Sequence, residues 1–335
     1  MGTPLIESPD LATRLGRFVE GLNGSAAVVV SSLRRISGGM SREAWAVDLT
    51  VDREAVACIL MRSAEAGLLV TDRAREFHLL ASLADRGLPV PEVLWLDPTG
   101  GALERPAFLM RRASGVADRR RLEQEKLAKQ IDDEFVLTLA SLHAIPPSEI
   151  RLDEAVPDAA DVARAQVDVW TEGITDDELQ RVPGLAEVIG WLRDRAEPAA
   201  RVGLVHGDYR YGNFLFDDTG ITAILDWELA HYGDPHEDLV WSFRPFRRGT
   251  EPIRSLPEFI EAYERASGWE VDPRIFAYYR ILAELKTAAI FLTGVRARRS
   301  SGGDLSLLVP AQLVVCSVRQ ALAWIDELEG SPCST

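Results

Sequence analysis

Leu204-Val-His-Gly-Asp-Tyr-Arg-Tyr-Gly-Asn-Phe-Leu-Phe216, followed after a turn by Ile224-Leu-Asp-Trp-Glu228, decides how this chain is read. Asn213 to Phe216 and Ile221 to Leu225 are short runs rich in β-branched and aromatic residues. Asp217-Asp-Thr-Gly220 between them is a strong turn signal, so the pair predicts a β-hairpin. A turn centred on Asp218-Thr219 sets Phe216 opposite Ile221 and Asn213 opposite Ile224. Asp226 then shares a face with Ile224, diagonal to Asn213 at about 7–8 Å between backbones. From that separation a carboxamide and a carboxylate can share a magnesium ion, whose oxygen ligands sit at about 2.0–2.1 Å. Asp208 precedes the hairpin on a Gly-interrupted loop, where it can reach a substrate hydroxyl. Taken singly, Asp and Asn beside turns cap and bond backbone. The three together, each at an element boundary, have the base-and-metal spacing that phosphoryl transfer requires.

The rest of the composition is compatible with that chemistry. A chain of 335 residues, 47% hydrophobic and 27% charged, can bury one large core or two medium ones. Cys58, Cys316 and Cys333 are odd in number and far apart, which points to a reducing, cytoplasmic setting and away from a disulfide framework. Met1 to Asp10 lacks a basic and apolar targeting pattern. Leu305 to Val318 is interrupted by Pro310 and Gln312 and is too short to span a bilayer, so no membrane partner is expected. A net charge of −15 argues against a general nucleic-acid binder. Neither G-x-x-x-x-G-K-[ST] nor G-x-S-x-G occurs, which removes P-loop NTPases and elbow hydrolases. His231 and His236 lack a convincing zinc ligand set.

Along the chain, two halves differ. The first, residues 1–112, reads as strands with one helix: Val28 to Ile36, a tight turn at Ser37 to Arg42, Glu43 to Val51, and Ala55 to Met61 ending in Arg62. A helix from Thr71 to Arg86 follows, capped by Thr71 or Asp72, with Phe77, Leu80, Leu83 and Ala84 on its apolar face and Gly87 as stop. Strands near Val93 to Leu96 and Ala107 to Met110 flank a turn at Asp97 to Gly101. The second half, 113–335, is mainly helical: Glu123 to Ala144 with Ile131, Phe135, Leu139 and Leu142 buried, then Ala159 to Trp170 and Leu185 to Arg195. Helices near Leu256 to Ala266, Pro273 to Val295 and Leu305 to Leu328 complete it. The expected class is α+β and bilobal, with a small antiparallel sheet plus helix before a larger helical lobe.

His206-Gly-Asp208, the Asn213 that follows, Leu225-Asp-Trp-Glu228, Gly233-Asp-Pro235 and Asp238-Leu239 together resemble the aminoglycoside phosphotransferase and choline kinase branch of the protein-kinase-like fold. Within it the chain is most similar to the phosphotransferase-family proteins found alone in bacteria and fused to acyl-CoA dehydrogenases in animals. The likeness runs from the Ser37 turn to the C-terminal helices.

That resemblance implies an ATP- and Mg2+-dependent transfer of the γ-phosphoryl group to a small-molecule hydroxyl. Asp208 would accept or orient the acceptor hydroxyl, and Asn213 and Asp226 would hold magnesium against the ATP phosphates. Ser37, Gly38, Gly39, Met40 and Ser41 would cover those phosphates through backbone amides. The segment Met110, Arg111, Arg112 and Ala113 would be the hinge that receives adenine. Arg62 stands where most relatives place a Lys on the third strand, and Glu76 would pair with it. Arg keeps the cation and can hold phosphate bidentately, with a different reach; the acyl-CoA-dehydrogenase-linked branch commonly has Arg here too. His206 and Asp238 are expected to hold the catalytic loop, and Trp227 and Trp241 to pack around it.

Two acceptor classes stay open. Amino sugars would suit acidic residues on the helical lobe. Hydroxyacyl-CoA would demand basic residues, for which Arg244, Arg247 and Arg248 or Arg296, Arg298 and Arg299 are available. The competing class is a non-catalytic nucleotide-binding pseudokinase.

Overall fold

The structure, a computed structural model, describes residues 5–24, 27–36, 42–63, 72–117, 125–244, 253–299 and 308–330. Two compact units divide it. One contains residues 1–134, 148–154 and 212–228, and the other contains 135–147, 155–211 and 229–335.

In the first unit a five-stranded antiparallel sheet has the order β1-β2-β3-β5-β4, built from β1 (Val28–Ile36), β2 (Arg42–Val51), β3 (Glu54–Ser63), β4 (Val93–Asp97) and β5 (Ala107–Arg111). All five lie where the β-branched and aromatic runs predict them. A helix that the sequence reading did not anticipate, α1 (Pro9–Leu22), contacts β1 and buries Leu11, Leu15 and Val19, one stripe at helical spacing. Those side chains share a core with Leu33, Trp45, Val47, Leu60 and Leu109.

Helix α2 (Arg73–Ala84) is capped by Asp72, whose carboxylate accepts from the Ala74 and Arg75 amides. Its buried face is rotated from the expected one. Leu80 and Leu83 are buried as expected, but Ala84 is exposed and Phe77 half-buried, while Arg73, Glu76 and Leu79 are buried. The rotation is possible because Arg73 and Glu76, one turn apart, neutralise each other at 2.5 Å.

The turn after β4 closes on Asp97, which accepts from the amides of Gly100, Ala102 and Leu103 at 2.8–3.0 Å. Gly100 is required there: its φ is +78° and an added Cβ would meet the Arg105 backbone at 2.5 Å.

The hairpin of β7 (Phe214–Asp217) and β8 (Gly220–Ile224) belongs to this unit. Phe216 faces Ile221 as the turn predicts, but Ile224 faces Phe214 and not Asn213. A bulge at Thr222 shifts the register by one residue, and the Thr222 hydroxyl donates to the Ser114 carbonyl at 2.6 Å. Val116 bridges Phe216 on the outer side, with amide–carbonyl bonds of 3.0 and 3.2 Å.

The second unit is helical. Helix α3 (Glu125–Ala144) buries Ile131, Phe135, Leu139 and Leu142, the four positions its periodicity marks. Its carboxyl half, from Phe135, lies in this unit with α4 (Val162–Thr171), α5 (Asp176–Arg181) and α6 (Leu185–Asp194). Strands β6 (Gly203–Val205) and β9 (His231–Gly233) pair antiparallel, followed by α7 (His236–Ser242), α8 (Leu256–Ser267), α9 (Pro273–Arg299) and α10 (Leu308–Gly330). Helices α9 and α10 pack along each other, and Val167, Leu192, Ile281, Leu285, Val318 and Ala321 share the core. The β6–β9 pair, α5 and α7 were not expected from sequence, since three-residue strands and six- or seven-residue helices carry too few positions for a periodic signal. Among the described residues no helix is long and apolar enough to cross a membrane.

Candidate active site

Asp208 sits just past β6, in the second unit. The Arg210 guanidinium donates to its Oδ1 at 2.8 Å, and the Trp241 indole N–H donates to the same oxygen at 2.6 Å. Burial pushes the Asp208 carboxyl up, but the Arg210 charge and the two donors outweigh it and hold it below the usual carboxylate range. Asp208 is therefore ionised across neutral pH.

The loop that carries it is held by its backbone. Asp238, on α7, accepts from the His206 amide at 2.7 Å and from the Gly207 amide at 2.9 Å. His143 lies 3.2 Å from Asp238 through Nε2 and 2.8 Å from the Tyr263 hydroxyl through Nδ1. The His206 ring accepts the Asp208 amide at 3.1 Å. Gly207 has φ +79°, and a Cβ there would meet the Leu229 carbonyl oxygen at 2.6 Å, so only glycine passes. Lys286, from the middle of α9, donates to the Gly207 carbonyl at 2.5 Å and to Glu237 at 2.8 Å. Its ammonium sits 4.2 Å from the centre of the Trp241 ring and 5.1 Å from that of Trp170. Sequence reasoning missed Lys286. The available signal was a Lys within the apolar stretch Ile281 to Leu292, where only a specific partner tolerates it. Trp241, expected as packing, is also a donor to Asp208, whereas the Trp227 indole donates to the Ile224 carbonyl at 3.0 Å. His236, 2.6 Å from Asp234 and stacked on Tyr279, is a structural residue.

Asn213 and Asp226 lie in the first unit. Asn213 ends a short 3-10 turn, Tyr211–Asn213, and is buried. Asp226 follows β8 and takes φ +69°, a left-handed conformation uncommon for a residue with a side chain. The Leu225 amide donates to the Asn213 carbonyl at 2.8 Å, which ties the two segments together beside the pair. Asn213 and Asp226 are thus neighbours through main chain, by a route that differs from the diagonal pairing expected.

Arg62 takes a different partner from the one expected. It donates from Nη2 and Nε to Glu43 at 2.7 and 3.1 Å, and from Nη1 to the Leu103 carbonyl at 3.3 Å. Glu43 is its cross-strand neighbour in the β2–β3 register, whereas Glu76 is engaged by Arg73. Arg105 also donates to Glu43, at 3.0 Å. Burial pushes the Glu43 carboxyl up, yet Arg62 and Arg105 carry it below its ordinary value.

At the expected hinge, Met110 is half-buried in β5. The Arg111 amide donates to the Glu92 carbonyl at 2.7 Å and the Arg112 amide to the Ala57 carbonyl at 2.9 Å. The side chains of Arg111 and Arg112 form ion pairs with Glu92 and Asp48. Ser37, Gly38, Gly39, Met40 and Ser41 lie outside the described residues, as do Arg247 and Arg248 and the side chains of Arg298 and Arg299. Arg244 is held bidentately by Glu284, with contacts at 2.5 Å, and Arg296 donates to the Gly173 carbonyl at 2.5 Å.

Comparison with known proteins assigns the class. The chain belongs to the phosphotransferase enzyme family, whose family model matches residues 32–285. Its fold is α+β, with the small antiparallel sheet and the many helices of that family. It is similar to mouse acyl-CoA dehydrogenase family member 10, at 29% identity over 68% of this chain and 22% of that protein. It is also similar to the probable acyl-CoA dehydrogenase IBR3 of Arabidopsis thaliana, at 28% identity over 67% of this chain and 31% of that one. The chain therefore spans less than a third of the length of these relatives. Among solved structures it shares its fold with a candidate aminoglycoside phosphotransferase from Ralstonia eutropha JMP134, with TM-score 0.72, 18% identity and coverage of 94% and 98%. A thermostable mutant of aminoglycoside phosphotransferase APH(4)-Ia, in a ternary complex with AMP-PNP and hygromycin B, matches with TM-score 0.59, 18% identity and coverage of 95% and 99%. LicA in complex with AMP matches with TM-score 0.63, 16% identity and coverage of 95% and 100%.

Proposed function

We propose that this phosphotransferase moves the γ-phosphoryl group of ATP directly to a hydroxyl of a small molecule, in a magnesium-dependent reaction with Asp208 as the residue that accepts or orients the hydroxyl proton. The observation that carries this reading is the Asp208 carboxylate, kept ionised by Arg210 and Trp241 on a loop held by Asp238. General-base help of this kind contributes about 10²–10⁴-fold.

The donor set suits the metal. An amide oxygen from Asn213 and a carboxylate from Asp226 are hard oxygen ligands of the type magnesium takes. A left-handed Asp226 is the kind of backbone strain that collects at functional sites. These two residues would hold the ion, which when bound offsets phosphate charge and fixes in-line geometry. The AMP-PNP and AMP carried by the fold neighbours support a nucleotide donor. Arg62 would grip its phosphates, and Ser37, Gly38, Gly39, Met40 and Ser41 would cover them. With the Arg111 and Arg112 amides already used in the sheet, adenine at this segment would be read by carbonyls or by the Ala113 amide. In this reading the nucleotide-binding part is 1–112, the catalytic and acceptor-binding part is 113–335, and the dispersed cysteines support a cytoplasmic setting.

For the acceptor, the acyl-CoA dehydrogenase relatives favour a hydroxyacyl-CoA thioester, and the hygromycin B complex supports an amino sugar. Arg244 and Arg296 are committed within the fold, so neither is a ready grip for CoA phosphates. A screen with γ-labelled ATP over both classes decides between them. Asp208→Ala should keep the ATP-induced thermal shift and lose transfer by the factor above; unchanged turnover would remove Asp208 from its role. ATP binding without transfer to any acceptor would leave a nucleotide-binding module.

A further inference from the structure

We infer that Lys286 is a positioning residue for Asp208, holding both the peptide and the carboxylate of that residue from helix α9. The inference rests on Asp208 as the proton acceptor proposed above. At least four bonds hold the backbone leading into Asp208, and three come from groups near the loop in sequence or on the helix that follows β9: Asp238 to two amides, and His206 to the Asp208 amide. The fourth is the ammonium of Lys286 on the Gly207 carbonyl at 2.5 Å, from a residue 79 positions away. The carbonyl of Gly207 and the amide of Asp208 belong to one peptide plane. Lys286 and His206 therefore grip that plane at its two polar ends, and its rotation, the motion that would swing the Asp208 side chain, is blocked.

The same ammonium also lies against the ring that binds the carboxylate. Its Nζ is 4.2 Å from the centre of the Trp241 indole, whose N–H meets Asp208 Oδ1 at 2.6 Å. The Lys286 side chain is 2% exposed and cannot exchange its partners for water. Glu237 supplies the countercharge at 2.8 Å, and Glu237 lies 3.2 Å from His231, whose Nδ1 is 2.9 Å from the Leu229 carbonyl. That carbonyl oxygen is the atom against which Gly207 packs. The buried charges thus bracket the loop on two sides, and the Lys286 arm touches Asp208 only through Gly207 and Trp241.

Lys286→Met alone would strand Glu237, so the decisive variant is the double substitution Lys286→Met with Glu237→Gln, which removes both charges at similar volume. A misplacement of about 1 Å at a reacting group costs on the order of 100-fold. The double variant should lose about 100-fold in kcat, with KM for ATP within twofold of the parent and the ATP-induced thermal shift retained. Amide hydrogen exchange at His206, Gly207 and Asp208 should rise at least tenfold while exchange in β2 and β3 stays unchanged. Unchanged protection of those three amides overturns the inference, whatever the acceptor proves to be. A kcat within twofold of the parent overturns it as well. Absence of any transfer by the parent protein would count against the phosphotransfer reading only, because hydrogen exchange still tests the clamp.

Discussion

Each compact unit holds a buried cation against a carboxylate, and the two do so in opposite ways. Arg62 meets Glu43 one strand over, in a cluster that opens to solvent through Arg105 and Glu104, 24% and 51% exposed. Lys286 and Glu237 are 2% and 6% exposed, with Trp241 and Trp170 against the ammonium. A guanidinium fork can trade a carboxylate for phosphate oxygens, because both accept its paired N–H groups. A lysine sealed among indoles cannot change partners without leaving a charge buried alone. The first arrangement suits reversible binding of an anion, and the second suits holding a loop still.

The largest effect should come from breaking the sealed pair. Glu237→Leu is expected to cost about 3–5 kcal/mol, because it leaves Lys286 without its countercharge. Urea unfolding measures this, and a loss under about 1 kcal/mol would put the pair in the class of exposed ion pairs and erase the contrast.

The pH dependence of stability sharpens the same point. Burial raises the Glu237 carboxyl, but Lys286 and His231 outweigh it and lower it from its ordinary 4.5 to about 2. Its contribution is complete above pH 4.5 and is lost as pH falls toward 2. His231 is opposite in sign. Burial lowers it, Glu237 more than compensates, and its contribution is complete below 6.5 and lost as pH rises through its elevated folded value. Denaturation of the parent and of Glu237→Gln across pH should show both contributions in the parent and their loss in the variant.

Smaller effects belong to the open cluster. Glu43→Gln should loosen Arg62 and raise KM for ATP roughly fivefold, about 1 kcal/mol, with little change in unfolding. Glu76→Gln should do the reverse, acting on stability through Arg73 and leaving KM in place. If Glu76→Gln raised KM and Glu43→Gln did not, the helix carboxylate would be the working partner of Arg62. The smallest effect is expected from Trp241→Phe, which keeps an aromatic ring, though a smaller one, and removes one donor to Asp208. The acid limb of the rate profile should move to higher pH, as the carboxylate loses one of the bonds that hold its pKa down. An unmoved limb would reduce Trp241 to packing.

The residues of the candidate site could be named from the sequence. Asp208, Asn213 and Asp226 announce themselves because their loop, turn and strand end are encoded within about twenty residues. The five strands of the sheet and the buried face of α3 follow from alternation and from 3.6-residue periodicity. What could not be read has one common cause. The Thr222 bulge depends on a bond to Ser114, and Glu43 becomes the partner of Arg62 through strand register. Each depends on where a distant segment lies, and no local pattern records that.

The amino-acid sequence by itself determined the kinds of element, the oxygen-bearing residues at the hairpin and the chemistry they can support, because propensity, turn residues and side-chain type act over a few neighbours. Only the tertiary structure decided which carboxylate each cation meets, and that a lysine 79 positions beyond Gly207 is bonded to its carbonyl. Desolvation is the reason: a charge taken out of water must find its partner wherever the packed chain places one.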